Sequence, residues 1–381
     1  MTLEQQTARC WAEVDLDLIR HNFRTAREQC PGVTVIPVIK ADAYGLGAAR
    51  VAPALWQAGA DVLAVAEYTE ALEVQSVCPA QVLVMGYTHP AFYADAVEKG
   101  ILLTVIDEET ARQISQAACE AGKTARVHVK IDTGLHRLGL NPDNAAEIVE
   151  RISRLPGLKI AGLFTHLALR GRESDDGQMA AFLGVARALG EKQVDFGMLH
   201  ALDSIGMLLY PEYRLDAVRA GAWIYGSANR HFPEPEKCPL AVRVRARIAQ
   251  LRWVKAGQCL GYDDEHPLKR DSLIATITCG YYDGMPRACA RGYAVVRGVR
   301  APVAGLVMMD QMTLDVTDVP GVTRGDAVTF LGDGISLLEA SGWYGWNRNE
   351  LIARMSRRVP RVYTLGGRVD HRVSYLLNRN H

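Results

Sequence analysis

The 381-residue sequence has no net charge, no closely spaced cysteine pair, no long apolar run and no low-complexity segment. Each absence removes a class of function. Lys plus Arg equals Asp plus Glu at 43 each, so no global field draws the chain to nucleic acid or an acidic membrane. The basic residues Arg291, Arg297 and Arg300 read as solvated strand faces. Eight cysteines (Cys10, Cys30, Cys78, Cys119, Cys238, Cys259, Cys279 and Cys289) show neither a CxxC pair nor metal-ligand spacing, which predicts reduced thiols, a cytoplasmic setting and no metal site. The start, Met1-Thr2-Leu3-Glu4-Gln5-Gln6, lacks a signal-peptide apolar stretch, and no run approaches a membrane span. With 49% hydrophobic residues, the chain has enough apolar surface for two or three cores.

What is present is an alternation. Strand-like runs are predicted at Val33–Lys40, Asp61–Ala66, Gln81–Gly86, Leu102–Ile106, Arg126–Asp132, Lys159–His166, Val194–His200 and Leu215–Arg219. Amphipathic stretches such as Glu109–Ala121 and Gln178–Glu191 lie between them. Eight such units within about 225 residues fit a (β/α)8 TIM-like barrel, whose active site forms at the C-terminal strand ends. A doubly wound open sheet is the rival, but it does not normally put candidate residues at the tips of so many strands. Here Lys40 and Tyr44 follow the first strand, Lys130, Asp132 and Arg137 the fifth, His166 the sixth, Ser204 the seventh and Arg219 the eighth.

After about Pro235 the pattern changes to short strands separated by Gly turns: Ala241–Lys255, Ser272–Thr278, Tyr293–Arg297, Ala301–Val307, Thr313–Val316 and Ala327–Leu331. Helices are expected only at Ile335–Ser341 and Asn349–Ser356. The chain therefore reads as a barrel over residues 12–236 and a mainly antiparallel β domain over 237–381, with residues 1–11 packing against the latter. Phe232-Pro233-Glu234-Pro235 is the expected hinge.

A lysine at a strand end is suited to covalent chemistry, because burial disfavours its charge and frees the amine as a nucleophile. The run Val38-Ile39-Lys40-Ala41-Asp42-Ala43-Tyr44-Gly45-Leu46-Gly47 closely resembles the signature of alanine racemases. In that family the lysine forms a Schiff base with pyridoxal 5'-phosphate (PLP) and the tyrosine contacts its phosphate. The resemblance runs from Trp11-Ala12-Glu13-Val14-Asp15 to Arg361-Val362-Tyr363.

The remaining roles are what the resemblance implies. Arg219, in Asp216-Ala217-Val218-Arg219-Ala220-Gly221, matches the arginine facing the PLP ring nitrogen. A guanidinium cannot accept a hydrogen bond, so that nitrogen stays unprotonated, the ring is a weaker electron sink and transamination is suppressed. Tyr44, Ser204 and the backbone N–H groups of Gly221 and Ala222 match the phosphate cradle; Asp203-Ser204 stands where many relatives have Asn-Ser. His166 resembles the histidine beside the ring. Arg137 matches the substrate-carboxylate arginine, and Lys130 the lysine that many relatives carbamylate. Racemisation needs an acid/base on each face of Cα. Cys279-Gly280-Tyr281-Tyr282-Asp283-Gly284 resembles the family's Gly-Tyr-Ala-Asp-Gly motif and identifies Tyr281 as the second base. Met309-Asp310 resembles a pair that lines the substrate pocket from the other subunit, which implies a homodimer with shared sites. The implied product is D-amino acid for peptidoglycan.

One departure bears on the substrate. Where the family usually has Tyr-Glu in its last helix, this chain has Asn349-Glu350. The same change occurs in the serine racemase domains linked to glycopeptide resistance. Alanine with serine as a second or preferred substrate is the expected reading, and simple drift at position 349 the alternative. The rivals are a PLP barrel decarboxylase, disfavoured by Arg219 and by the lack of a glycine-triplet phosphate loop, and a non-catalytic PLP carrier, disfavoured by the added β domain.

Overall fold

The computed structural model describes residues 8–227, 237–262, 264–288 and 290–377. Its first strand, β1 (Cys10–Asp15), is followed at once by a helix over Leu16–Gln29. Asp15 starts that helix by accepting from the Leu18 N–H at 3.0 Å, and Leu16, Ile19, Phe23 and Ala26 form its buried stripe. Eight parallel strands come next: β2 (Thr34–Pro37), β3 (Val62–Val65), β4 (Gln81–Val84), β5 (Leu103–Val105), β6 (Ala125–Lys130), β7 (Leu158–Phe164), β8 (Met198–His200) and β9 (Ala217–Ala220). β2-β9-β8-β7-β6-β5 form one ladder and β3-β4 another. Single bridges, Val38 with Ala64 and Leu83 with Leu102, close the ring into a barrel.

The strands are shorter than the sequence pattern predicts, mostly at their C-terminal ends. The ladder of β2 stops at Pro37 rather than Lys40, and that of β7 at Phe164 rather than His166. The residues beyond are released from pairing and turn across the barrel mouth. β8 is shortened at its start, where Gly197 (φ +65°) comes so close to β7 that a Cβ would lie 2.2 Å from the Ala161 carbonyl oxygen.

The second domain comprises β10 (Val242–Val254), β11 (Ser272–Ile277), β12 (Tyr293–Val296), β13 (Val299–Pro302), β14 (Met312–Asp315), β15 (Ala327–Leu331), β16 (Arg361–Leu365) and β17 (Arg368–Val373). The sheet order is β13-β12-β15-β10-β1-β16-β17, with β11 pairing both β10 and β14. Every pairing is antiparallel except β1 with β16. Two helices, Leu337–Tyr344 and Arg348–Ala353, interrupt the strands. β1 therefore belongs to this sheet through Asp15, and the chain enters the barrel there rather than at residue 12. The expected hinge at Phe232–Pro235 lies outside the described residues. No described helix is long and apolar enough to cross a membrane.

Candidate active site

Lys40 opens a turn with an uncommon backbone. Ala41, Asp42, Ala43 and Tyr44 all have φ between 53° and 57°, the left-handed region, and none is glycine. Such a run costs about 1–2 kcal/mol per residue for L-amino acids, so the surroundings must impose it. They do so from distant parts of the chain. Glu70 accepts from the Ala41 N–H at 2.5 Å and the Ala66 N–H at 2.8 Å. Asp42 accepts from the Ala48 N–H at 2.7 Å and the Tyr375 hydroxyl at 2.9 Å. Buried Arg361 donates to the Gly45 carbonyl, and Tyr363 to the Leu46 carbonyl, each at 2.9 Å. Gly45 itself must be glycine, since a Cβ would lie 2.6 Å from the Ile352 carbonyl oxygen.

The turn delivers Lys40 and Tyr44 to a cavity of about 310 Å³ at the barrel mouth. Lys130, Arg137, His166, Ser204, Arg219, Gly221 and Ala222 line the same cavity. Nine of the residues singled out from the sequence thus converge, drawn from five strand ends. Tyr281, Met309, Asp310 and Asn349 do not line it. Asn349 stands behind it, where its Oδ1 accepts from Ser227 Oγ at 3.1 Å, and the Ser227 N–H in turn bonds the Ala222 carbonyl at 2.9 Å.

The cations at the mouth crowd one another. Burial and the nearby Arg137 lower the Lys40 amine, favouring its nucleophilic form. Burial, with Arg219 adjacent, pushes Lys130 down to about 7; its Nζ donates to the Ile131 carbonyl at 2.8 Å and lies 5.4 Å above the Phe164 ring. Burial followed by Arg219 and Arg137 pushes His166 down to about 3, so its imidazole is neutral near pH 7. Burial takes Arg219 to about 10, and it remains a cation.

Arg219 is held in four places. Nη1 pairs with His200 Nδ1 at 2.7 Å, while Nη2 reaches the Thr165 carbonyl at 2.7 Å, the Ala201 carbonyl at 2.8 Å and His166 Nδ1 at 3.3 Å. These bonds leave the Nε–H unused. Ser204 Oγ accepts from the N–H groups of Gly221 at 2.9 Å and Trp223 at 3.2 Å. Both lone pairs are then occupied, so the hydroxyl has only a proton to offer and acts as a donor to any anion. Gly221 admits the Tyr44 phenol, since a Cβ there would lie 2.5 Å from its oxygen. A neutralisable amine, a donor-only guanidinium and a set of uncharged phosphate donors fit PLP.

Tyr281 belongs to a short 3-10 turn, Tyr281–Asp283, in the β domain. Its N–H and that of Tyr282 bond the carbonyls of Met308 and Met309 at 2.9 and 3.0 Å. Asp283, buried beneath, accepts from its own loop at the Gly280 N–H (2.9 Å), from Arg9 (2.9 Å) and from Arg358 (2.8 Å). Arg358 also bonds the Asp310 carboxylate at 2.5 Å. The tyrosine loop and the Met309-Asp310 turn therefore form one ion-paired unit. Glu70, His200, Arg361, Asp283, Arg9 and Arg358 carry this architecture and were not singled out from the sequence. Two of them had a local signal: Asp283 is the aspartate of the Tyr281 motif, and Glu70 has the Glu67-to-Glu70 spacing of a capping box.

Comparison with known proteins agrees with this geometry. The family Alanine racemase, N-terminal domain, matches residues 14–229, and Alanine racemase, C-terminal domain, matches residues 241–363. The chain belongs to the alanine racemase family. An alanine racemase of Desulfovibrio desulfuricans is 35% identical over 363 residues, covering 93% of this chain and 97% of that protein. The solved alanine racemase of Clostridium difficile 630 superimposes with a TM-score of 0.93 at 30% identity, covering 97% of this chain and all of that one (100%). That of Bartonella henselae, described with covalently bound pyridoxal phosphate, gives 0.86 at 28% identity over 94% of this chain and 100% of that one. Among the described residues no group of three His, Cys, Asp or Glu side chains is placed to hold a metal.

Proposed function

We propose that this family member is a PLP-dependent racemase interconverting L- and D-alanine in the cytoplasm, with serine as a further substrate, and that it supplies D-amino acid for peptidoglycan. The observation that carries the reading is the presence of Lys40, Arg219 and the Tyr44 and Ser204 hydroxyl donors around one cavity; the Gly221 N–H expected in the phosphate cradle instead orients Ser204. PLP, when bound, supplies an electron-withdrawing ring that acidifies the substrate Cα–H. Lys40 would hold the cofactor and serve as acid/base on one face of Cα. Arg137, exposed at the mouth, offers its donor fork to the substrate carboxylate. Arg219 would meet the ring nitrogen as a donor only, which argues against a decarboxylase. The amine of Lys130, half neutral near pH 7, is in the form that adds to carbon dioxide, so we infer a carbamate there that holds Arg137.

The decisive experiment incubates PLP-loaded protein with L-alanine and L-serine separately and follows D-enantiomer by chiral chromatography. In parallel, borohydride reduction and peptide mapping should find pyridoxyl on Lys40. A label on Lys130, or no enantiomer formed, would overturn the reading.

The opposite face needs a second group, and in one chain Tyr281 does not line the cavity. This supports a homodimer in which Tyr281, Met309 and Asp310 of one protomer complete the cavity of its partner. Met309 is 52% exposed and Tyr282 49%, as a surface awaiting such a neighbour would be.

Asn349 supports serine turnover. It sits behind the Gly221–Ala222 backbone through Ser227, where the shorter side chain leaves room that a tyrosine would fill. Asn349→Tyr should lower the serine-to-alanine ratio of kcat/KM several-fold, because a larger side chain behind the pocket wall disfavours the larger substrate. An unchanged ratio would make position 349 simple drift.

A further inference from the structure

Behind Arg219 lies a row of two buried histidines that the proposed reaction does not use. His200 Nδ1 is 2.7 Å from Arg219 Nη1, and on the far side of the ring His200 Nε2 is 2.9 Å from His128 Nδ1. A guanidinium can only donate. His200 Nδ1 must therefore accept, its proton must sit on Nε2, and His128 Nδ1 must accept in turn. This order of protons holds only while both ends keep their roles, the Arg219 donor at one and the His128 acceptor at the other, and it requires both rings to be neutral. Burial, with Arg126 and Arg219 nearby, pushes His128 down to about 3, and burial with Arg219 likewise lowers His200.

The fold makes specific room for this row. Gly162 on β7 faces the His128 ring so closely that a Cβ would lie 2.5 Å from Nδ1 and 2.7 Å from Cε1. The register of β6 against β7 shifts between Val127 and His128, where the ring enters. Phe164 stacks flat on His200, with centroids 4.9 Å apart and planes within 2°, which restrains the ring from turning. A histidine serving only to fill the core would need neither the glycine nor an acceptor aimed at His200 Nε2.

We infer that His128 is a positioning residue for Arg219: by accepting from His200 Nε2 it fixes the tautomer in which His200 can accept from the guanidinium. Without that acceptor, a buried Nε2–H is left unsatisfied, which favours the tautomer with the proton on Nδ1 at the expense of the Arg219 bond. There it would face an Arg219 N–H donor to donor, and the guanidinium would turn about its bonds to the Thr165 and Ala201 carbonyls. The effect on cofactor chemistry rests on the PLP reading given above; the tautomer does not.

The test compares wild type with His128→Asn, whose Oδ1 can stand in for Nδ1, and His128→Leu, which removes the acceptor. His128→Gln, whose polar group lies one methylene further out, replaces the Leu variant if that one does not fold. In 15N-histidine-labelled protein without PLP, long-range proton–nitrogen correlations report the His200 tautomer. Wild type and His128→Asn should hold the proton on Nε2, and His128→Leu should lose that preference. In the PLP-loaded proteins, His128→Leu should raise conversion of cofactor to pyridoxamine phosphate, relative to racemisation, by about tenfold, and His128→Asn by less than about twofold. An unchanged His200 tautomer in His128→Leu, or equal effects of Asn and Leu, would overturn the inference. A wild-type protein that binds no PLP would sink the cofactor reading and leave the tautomer result standing.

Discussion

Tyr281→Phe should slow racemisation of L-alanine by about 10²–10⁴-fold while PLP stays bound, because only one positioned acid/base is lost. The backbone of the Tyr281 turn is fixed by Met308 and Met309 carbonyls and by Asp283, and none of these bonds uses the phenol oxygen. The ring can thus lose its hydroxyl without the loop moving. Tyr282→Phe is the matched control: its ring lies 4.6 Å from the Arg358 guanidinium and keeps that contact without a hydroxyl. Near-normal turnover by Tyr281→Phe, with Tyr282→Phe inactive, would reassign the base. The same variant tests the shared site. Mixed one to one with inactive Lys40→Ala protein, it should regain about a quarter of wild-type activity after subunit exchange, since half the two-fold dimers then hold one complete site. No recovery after demonstrated exchange would mean that each cavity is complete within its own chain.

Arg361→Met should destabilise the protein by about 3 kcal/mol or more and lower PLP affinity together with kcat. Arg361 is buried and donates to the carbonyls of Gly45 at 2.9 Å, Ser356 at 2.8 Å, Met355 at 3.0 Å and Val359. Methionine fills much of the volume but takes a donor from four carbonyls, of which Ser356 keeps another in the Val359 N–H at 3.1 Å. One of them anchors the turn that presents Lys40. Arg361→Lys should recover part of the loss, because one ammonium cannot span the positions reached by a forked guanidinium. Denaturant unfolding and PLP titration measure both effects. A variant with wild-type stability would show that water replaces the guanidinium at no cost.

The barrel was legible because its strands are short apolar runs separated by amphipathic stretches, and five of the eight runs had chemically unusual residues at or just beyond their ends. Lys40, Arg219 and Ser204 could be placed from such local patterns. What could not be read was anything decided by distant contacts. Ala41-Asp42-Ala43-Tyr44 carries no signal for a left-handed backbone; the conformation is imposed by Glu70, Arg361, Tyr363 and Tyr375. β1 was assigned partly to the barrel because its partners, β10 and β16, lie far along the chain. β17 was missed because its charged residues break the apolar pattern, and β16 because it is a five-residue run that opens on an arginine. His200 was read as the end of a strand, since only the folded ring shows it beneath Arg219.

The left-handed turn also sets an order of assembly. Arg361 lies 316 residues after Gly45, Tyr363 lies 317 after Leu46, and Tyr375 lies 333 after Asp42. A growing chain exposes Lys40 long before the clasps that bend its neighbourhood have been synthesised. The barrel strands can pair in the meantime, but the bonds that hold the corner in its left-handed form wait until β16 docks beside β1. The geometry that presents Lys40 is therefore completed with the second domain rather than with the barrel.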